Sequence, residues 1–491
     1  MISIKQIHKY NCDVLIVGGG PAGSGLAYHL AKNNIKVMVA EAQTFPRDKI
    51  CGDGVSPIAL AELDAMGISN WKEFSKANEI SKVGLFIKND SVFINLSKPD
   101  NLPYHARIIP RIELDNWVYN TAKKAGAAYL EDTRLINYTI TNEAAFATLK
   151  QSNQTIKIKA KIIVGADGSS STVARLMHGA KNSDEFQLLG LRAYYENIQG
   201  PTDRVDIYFT GESFPGIYWL FPKGESGANI GMAMVSDTLP YKASKVRSML
   251  ATHINDNNFI KERIGDGKIE GNIDGWMLKF FNPNSCIHGN RILLVGDAAG
   301  LINPLSGDGI QYALLSARWA AETLINCIQQ NDFTLKATAH FRKRVDKELG
   351  YDFALSNLLV QFARNKTLSA LWMQILEVMI ARCKEDKAYA DTVAGIFEGT
   401  YPSYKALNAK FIINSILQAA KQVGGKAAVD AISNPINLFQ TGLQFSQTAL
   451  QVLEDFGKDP SLHGKWLLNT ANKTLSVAGH VLKNAVTKIK A

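Results

Sequence analysis

The sequence predicts an α/β fold: a Rossmann-like nucleotide-binding domain, an inserted antiparallel-sheet domain and a C-terminal helical extension. Three observations predict it. Residues 13–41 read as strand, glycine turn, helix, strand and terminal acid. Residues 80–110 and 186–280 carry period-2 alternation and aromatic-rich strand signals. Beyond about residue 340 the pattern is helical and basic to the end. Boundaries are expected at 10–78, 109–185 and 281–345 for the nucleotide-binding domain. The inserted sheet then takes 79–108 and 186–280, and the helical region 346–491.

The first stretch, DVLIVGGGPAGSGLAYHLAKNNIKVMVAE, gives a strand at Val14 to Val17, a helix from Pro21 to Lys32 and a strand from Lys36 to Val39. Its turn carries G-x-G-x-x-G as Gly18, Gly20 and Gly23. The first glycine turns the chain sharply, the second lets a pyrophosphate approach bare backbone, and the third lets helix and strand pack closely. A diphosphate then lies on the helix N-terminus. Glu41, 18 residues beyond Gly23, is placed to accept hydrogen bonds from ribose hydroxyls.

A loop marked by Gly52, Gly54 and Pro57 follows, then a short helix from Ile58 to Met66 closed by Gly67. Val83, Leu85 and Ile87 alternate, as do Val92, Ile94 and Leu96, which predicts a strand pair. An amphipathic helix is expected from Arg111 to Lys124, and further strands over 128–164.

Composition bounds the function classes. The 491 residues are 46% apolar and 20% charged, ordinary for a soluble globular protein of two or three domains. A net charge of +9 and a pI near 9.0 favour acidic partners, with simple solubility the plainer reading. Five scattered cysteines (Cys12, Cys51, Cys286, Cys327, Cys383) with no C-x-x-C pair suggest neither metal nor dithiol chemistry and point to a reducing, cytoplasmic compartment. The N-terminus lacks a signal-peptide core, and no run of 18 apolar residues offers a membrane span.

Two later motifs turn a dinucleotide site into an FAD site. IIVGADGSSSTVARL delivers Asp167 and Gly168 into a tight turn. LLVGDAAGLINPLSGDGIQYAL ends a strand at Gly296-Asp297, where the carboxylate suits ribityl hydroxyls. Gly300, Gly307 and Gly309 let the following loop lie against pyrophosphate and ring. FAD spans a long path and needs several separated segments, whereas NAD needs only the first.

The three motifs in this order resemble the para-hydroxybenzoate hydroxylase-like flavoprotein superfamily. Within it, PRDKICGDGVSPIAL, PRIELDNWV, PGIYWLFPKG with GANIGMAM, and VGDAAGLINPLSGDGIQYAL resemble the geranylgeranyl reductase family, over roughly residues 10–345. That resemblance implies reduction of isoprenoid C=C bonds by hydride from reduced flavin. It places Cys51, Gly52, Gly54, Arg111, Ala22, Glu41, Asp297, Gly309 and Ile310 at the FAD, with a Leu135 backbone contact to adenine. Trp219 and Phe221 become walls of a lipid-accepting channel, and Cys51 a proton donor, a flavin-tuning group or simply a small loop residue. The family's aromatic signature departs here: Ile217 stands where a tyrosine is usual, and Tyr218 is displaced by one. Either Tyr218 faces away from the substrate or a bulge restores it.

Arg47 and Lys49 read as solvated loop charges, with diphosphate steering the alternative; His105 and His178 are given no role. With no second G-x-G-x-x-G, the electron donor is NADPH bound transiently, or ferredoxin or another carrier protein. The C-terminal region shows helical spacing at Ile436, Phe439, Leu443, Leu450 and Leu453. From Ser461 on it holds five lysines (465, 473, 483, 488, 490) and no acid, with Leu475, Ala478, Val481, Leu482, Val486 and Ile489 able to form one apolar face. Such a helix suits an anionic membrane surface or packs on the body; nucleic acid fits poorly. The rival functions are a flavin monooxygenase or halogenase, since one scaffold hosts several chemistries, and a flavin-binding membrane adaptor without turnover.

Overall fold

The computed structural model describes residues 7–96, 98, 102, 104–179, 186–211, 213–225, 227–238, 243–402, 405, 466 and 468–480. The pattern at 436–453 and the tail residues 465 and 481–490 lie outside the described residues.

The apolar run before the glycine turn extends into a long strand, Ile7–Val17, at the centre of an eight-stranded sheet. It pairs in parallel with Gln154–Gly165 on one side, Val14 opposite Ile162, and with Val37–Ala40 on the other, Val14 opposite Val37. Ile292–Leu294 and Ala128–Leu130 continue the parallel order outward. Val14, Leu15 and Ile16 are fully buried, as strands covered on both faces must be. Helix Pro21–Ala31 lies against helices Arg111–Lys124 and Ile310–Gln329, which brings three sequence-distant segments to one end of the sheet.

The inserted sheet has seven strands in the order Lys268–Lys279, Gln187–Glu196, Gly227–Val235, Ile217–Gly224, Arg204–Phe209, Lys82–Ile87, Asp90–Asn95. It differs from a purely antiparallel expectation at one seam, where Arg204–Phe209 runs parallel to Lys82–Ile87. Those two strands are separated by a long excursion through the nucleotide-binding domain, and parallel neighbours need such a crossover. A small sheet, Gly54–Val55, Ala106–Ile108 and Asn78–Ile80, sits between the large ones.

The two faces of the seven-stranded sheet are covered differently. On one, Tyr218 stacks on His253 of helix Ala243–Asp256, ring centroids 3.6 Å apart. The strand therefore sends Tyr218 away from Trp219 and Phe221, and Ile217 takes the inward position. The other face is roofed by helices Ser369–Glu385 and Lys387–Glu398, whose Met373, Ile380, Tyr389 and Val393 pack with Trp219 and Ile207.

Helix Leu335–Ala363 supports the described part of the tail: Trp466 Nε1 donates to Gln361 O at 2.9 Å and Lys473 Nζ to Gln361 Oε1 at 3.0 Å. Among the described residues no helix is long and apolar enough to cross a membrane.

Candidate functional site

The glycine turn explains itself in space. A β-carbon at Gly23 would overlap the carbonyl oxygen of Gly18 and lie 3.0 Å from its carbonyl carbon. At Gly18, where φ is 100°, it would lie 2.7 Å from Asp167 Cα. At Gly20 its nearest neighbour is Arg47 Nη2 at 3.6 Å, so this glycine leaves open backbone. Helix Pro21–Ala31 begins here with no side-chain cap and no acid in its first turn. Its N–H groups stay available to an anion. Glu41 is buried; Gly19 N–H donates to its Oε2 at 2.7 Å and Gln43 N–H to its Oε1 at 3.0 Å.

Cys51, Gly52, Gly54, Ala22, Gly20, Arg111, Trp219, Phe221, Asp297, Gly307, Gly309 and Ile310 line one cavity of about 540 Å³. Gly18, Gly23 and Glu41 lie just outside its wall, forming and bracing the turn. Two further expected FAD residues, Asp167 and Leu135, do not line this cavity. Asp167 instead caps helix Thr172–His178, its carboxylate accepting from Ser171 Oγ and from Thr172 N at 2.6 Å; neighbouring Gly168 faces the cavity. Leu135 stands opposite Leu149 with its side chain in the core, which leaves the expected role to its backbone.

Arg47 and Lys49 are not solvated loop charges. Arg47 Nη1 lies 3.0 Å from Asp115, which also takes a two-pronged bond from Arg111 at 2.7 and 2.8 Å. Burial pushes the Asp115 carboxyl up, but Arg111 and Arg47 hold it below the usual range. Lys49 Nζ sits 3.0 Å from Asp297. Burial raises the Cys51 thiol, against the pull of Arg111, so Cys51 keeps its proton at neutral pH.

Behind the cavity wall runs a buried polar chain that the motifs did not single out. Asn229 Oδ1 accepts from Trp219 Nε1 at 2.9 Å, while its Nδ2 donates to Asp53 Oδ2 at 2.8 Å and to Cys51 O at 2.7 Å. Tyr194 Oη donates to the same Asp53 oxygen at 2.7 Å, and Arg192 covers the Tyr194 ring and pairs with Asp48. The available signal was an amide inside the apolar run GANIGMAM. Asp308 was also missed, as were the walls supplied by Val360, Leu376, Tyr389, Phe397 and Glu398, beyond the stretch the resemblance covers.

Three carboxyls here are raised by burial: Asp53 to about 6, and Asp308 and Glu398 to about 7. Their folded values exceed their unfolded ones, so the native state holds protons that the unfolded chain has released. Stability from these groups is therefore largest at about pH 4 and falls as pH rises toward 7. Asp115, depressed, acts in the opposite sense, but only below the ordinary carboxylate value. Asp53→Asn is expected to remove the part of the decline between pH 4 and 6. Melting curves of both proteins across that range check it; parallel curves would show that Asp53 does not titrate there.

A family model described as "FAD binding domain" matches residues 11–348. The chain belongs to that family. It is an FAD-dependent oxidoreductase. It is 29% identical over 320 residues to menaquinone reductase of Mycolicibacterium smegmatis, covering 64% of this chain and 76% of that one. It is 29% identical over 357 residues to digeranylgeranylglycerophospholipid reductase 2 of Methanopyrus kandleri, covering 70% and 84%. A solved geranylgeranyl bacteriochlorophyll reductase-like protein of Thermoplasma acidophilum shares the fold at TM-score 0.67 and 21% identity, over 87% of this chain and 99% of that one. Solved flavin-dependent halogenases share the fold as well.

The residues present fit FAD. Gly20 and Gly168 leave backbone that a β-carbon would otherwise cover, and the uncapped helix start offers free N–H groups to a diphosphate. Glu41 and Asp297 would hold hydroxyls, and the Gly307–Ile310 loop with Cys51–Gly54 would flank the ring.

Proposed function

We propose that this oxidoreductase reduces C=C bonds in the isoprenoid chain of a hydrophobic substrate. The observation that carries the reading is the continuity of the cavity. The loops suited to FAD open directly onto walls made by Ile207, Phe209, Ile217, Trp219, Phe221 and Trp372. Reduced FAD, when bound, supplies the hydride. The chain's own part is to align an extended apolar chain, to keep water out, and to fix Trp219 through Asn229 so that the wall does not yield. NADPH or an electron-carrier protein regenerates the reduced cofactor. Substrate reaches the cavity from a membrane surface, met by the described part of the tail, where Leu468 and Leu475 are exposed at 63% and 70%.

The test is anaerobic. Photoreduced enzyme is mixed with geranylgeranyl diphosphate or a geranylgeranylated lipid that carries no quinone ring, the latter in anionic or neutral vesicles. Return of the oxidised-flavin spectrum, with product gaining two hydrogens, is the expected result, faster from anionic vesicles. Flavin that stays reduced until oxygen enters, followed by oxygen or halide in the product, would replace this reading with a monooxygenase or halogenase.

A further inference from the structure

We propose that Glu398 is the acid that protonates the alkene carbon opposite the hydride acceptor, an assignment that rests on the C=C-reductase reading. Glu398 closes helix Lys387–Glu398, whose Tyr389, Val393 and Phe397 form part of the apolar wall. The other acid of this helix, Asp391, points outward and pairs with Lys387 at 3.2 Å. Glu398 lines the cavity, yet its Oε1 is buried with no hydrogen-bond partner among the described residues. Its remaining bonds come from the Ala106 N–H and from Thr400 Oγ1, 3.4 Å from Oε2.

The position is a junction. Gly399, next along, has φ of 78°, and a β-carbon there would lie 3.1 Å from Gln311 Oε1 and 3.4 Å from Asp308 Oδ2. Gln311 in turn accepts the Ser56 hydroxyl at 2.6 Å. The helix end therefore meets the segments around Ser56, Ala106 and Asp308–Gln311, where the apolar arm joins the loops suited to FAD. Among the described residues the groups facing Glu398 are the Ala106 amide, the Thr400 hydroxyl and, across Gly399, Asp308 and Gln311.

A carboxyl with one unpartnered oxygen in an apolar wall is costly as an anion. Burial lifts Glu398 to about 7, close to the pH at which a general acid both holds and releases its proton effectively. Two other protic groups stand at the ring end. Cys51, raised from an already higher thiol value, releases its proton less readily. The Asp308 carboxyl is tied to the N–H groups of Gly309, Ile310 and Gln311 at the start of its helix. In the step, the Glu398 O–H bond breaks and the alkene π pair forms C–H at one carbon. The hydride supplied by reduced FAD forms C–H at the other. The carboxylate then takes a proton from water as product leaves.

Glu398→Gln in the FAD-loaded full chain tests this. Difference infrared spectra of wild type minus variant are expected to show a protonated-carboxyl band that disappears with a midpoint near pH 7. Substrate-driven flavin reoxidation is expected to slow by about 10²-fold or more, with FAD content unchanged. Glu398→Asp, which keeps the acid and shortens its reach, should retain part of the rate. Gln and Asp variants reoxidising as fast as wild type, or no such infrared band, would overturn the assignment alone. Wild-type enzyme that fails to reoxidise with any prenylated acceptor would overturn the reductase reading and the donor role together.

Discussion

Gly23→Ala is expected to purify without FAD and with a lowered melting temperature. The added methyl would overlap the Gly18 carbonyl oxygen and lie 3.2 Å from Ala166 Cβ. Carbon atoms pack comfortably only at about 3.5–4.0 Å. The nearest obstacle is backbone, so no rotamer change relieves it, and helix Pro21–Ala31 must back away from strand Ile7–Val17. That helix is also wedged against Arg111–Lys124 and Ile310–Gln329, so the displacement spreads into the core. Overpacking of this kind costs about 1–3 kcal/mol or more. Gly20→Ala is the contrasting case. Its methyl has only Arg47 Nη2 nearby, at 3.6 Å, so the apo fold is undisturbed while the diphosphate's approach is blocked. Both variants should show at least about a tenfold loss in FAD affinity, 1.4 kcal/mol, but only Gly23→Ala should melt early as apoprotein. Flavin-to-protein absorbance ratios and apoprotein melting curves separate the two. Full FAD occupancy in Gly23→Ala would mean that the turn is not the cofactor's cradle.

The contrast between these glycines shows what was legible in the sequence. Gly18, Gly20, Gly23 and Glu41 act within one strand–helix–strand unit, and local spacing defines such a unit. Helix Arg111–Lys124 was legible for the same reason: Pro110 before it and Gly126 after it mark its ends. What spacing could not supply was pairing across distance. Lys49 reads as a loop charge until residue 297 folds against it, and Arg47 until Asp115 does. Asp167 was placed in the right turn, but a strand ending in Asp before a helix start offers two uses for the carboxylate, ligand or cap. Here the free N–H groups of Thr172 and Val173 took it. Tyr218 was ambiguous because strand parity depends on whether a bulge intervenes, and the ladder from Ile217 to Pro222 runs without one. Glu398 lay past the reach of any motif.

Asn229→Leu is expected to destabilise the region joining the two large sheets by about 2–5 kcal/mol, although leucine is close to asparagine in size. Asn229 is fully buried and stands on the strand row between Tyr194 and Phe221. Its three bonds tie Trp219 of the inserted sheet to the Cys51–Asp53 loop. Leucine leaves the Trp219 N–H and the Cys51 carbonyl without these partners, and Asp53 with Tyr194 alone. Each buried polar group left unpaired costs about 1–3 kcal/mol. Asp53→Asn should cost much less, because one amide oxygen can accept from both Tyr194 and Asn229 where Oδ2 now does. The Leu variant should therefore melt roughly 5 °C or more below wild type, with Trp fluorescence altered before flavin is released. Freed of its anchor, the Trp219 ring should also let KM for a prenylated acceptor rise more than kcat falls, since the ring shapes the wall and carries no proton. An Asn229→Leu protein that melts with the wild type would show that the buried chain is dispensable, and that Trp219 is held by packing alone.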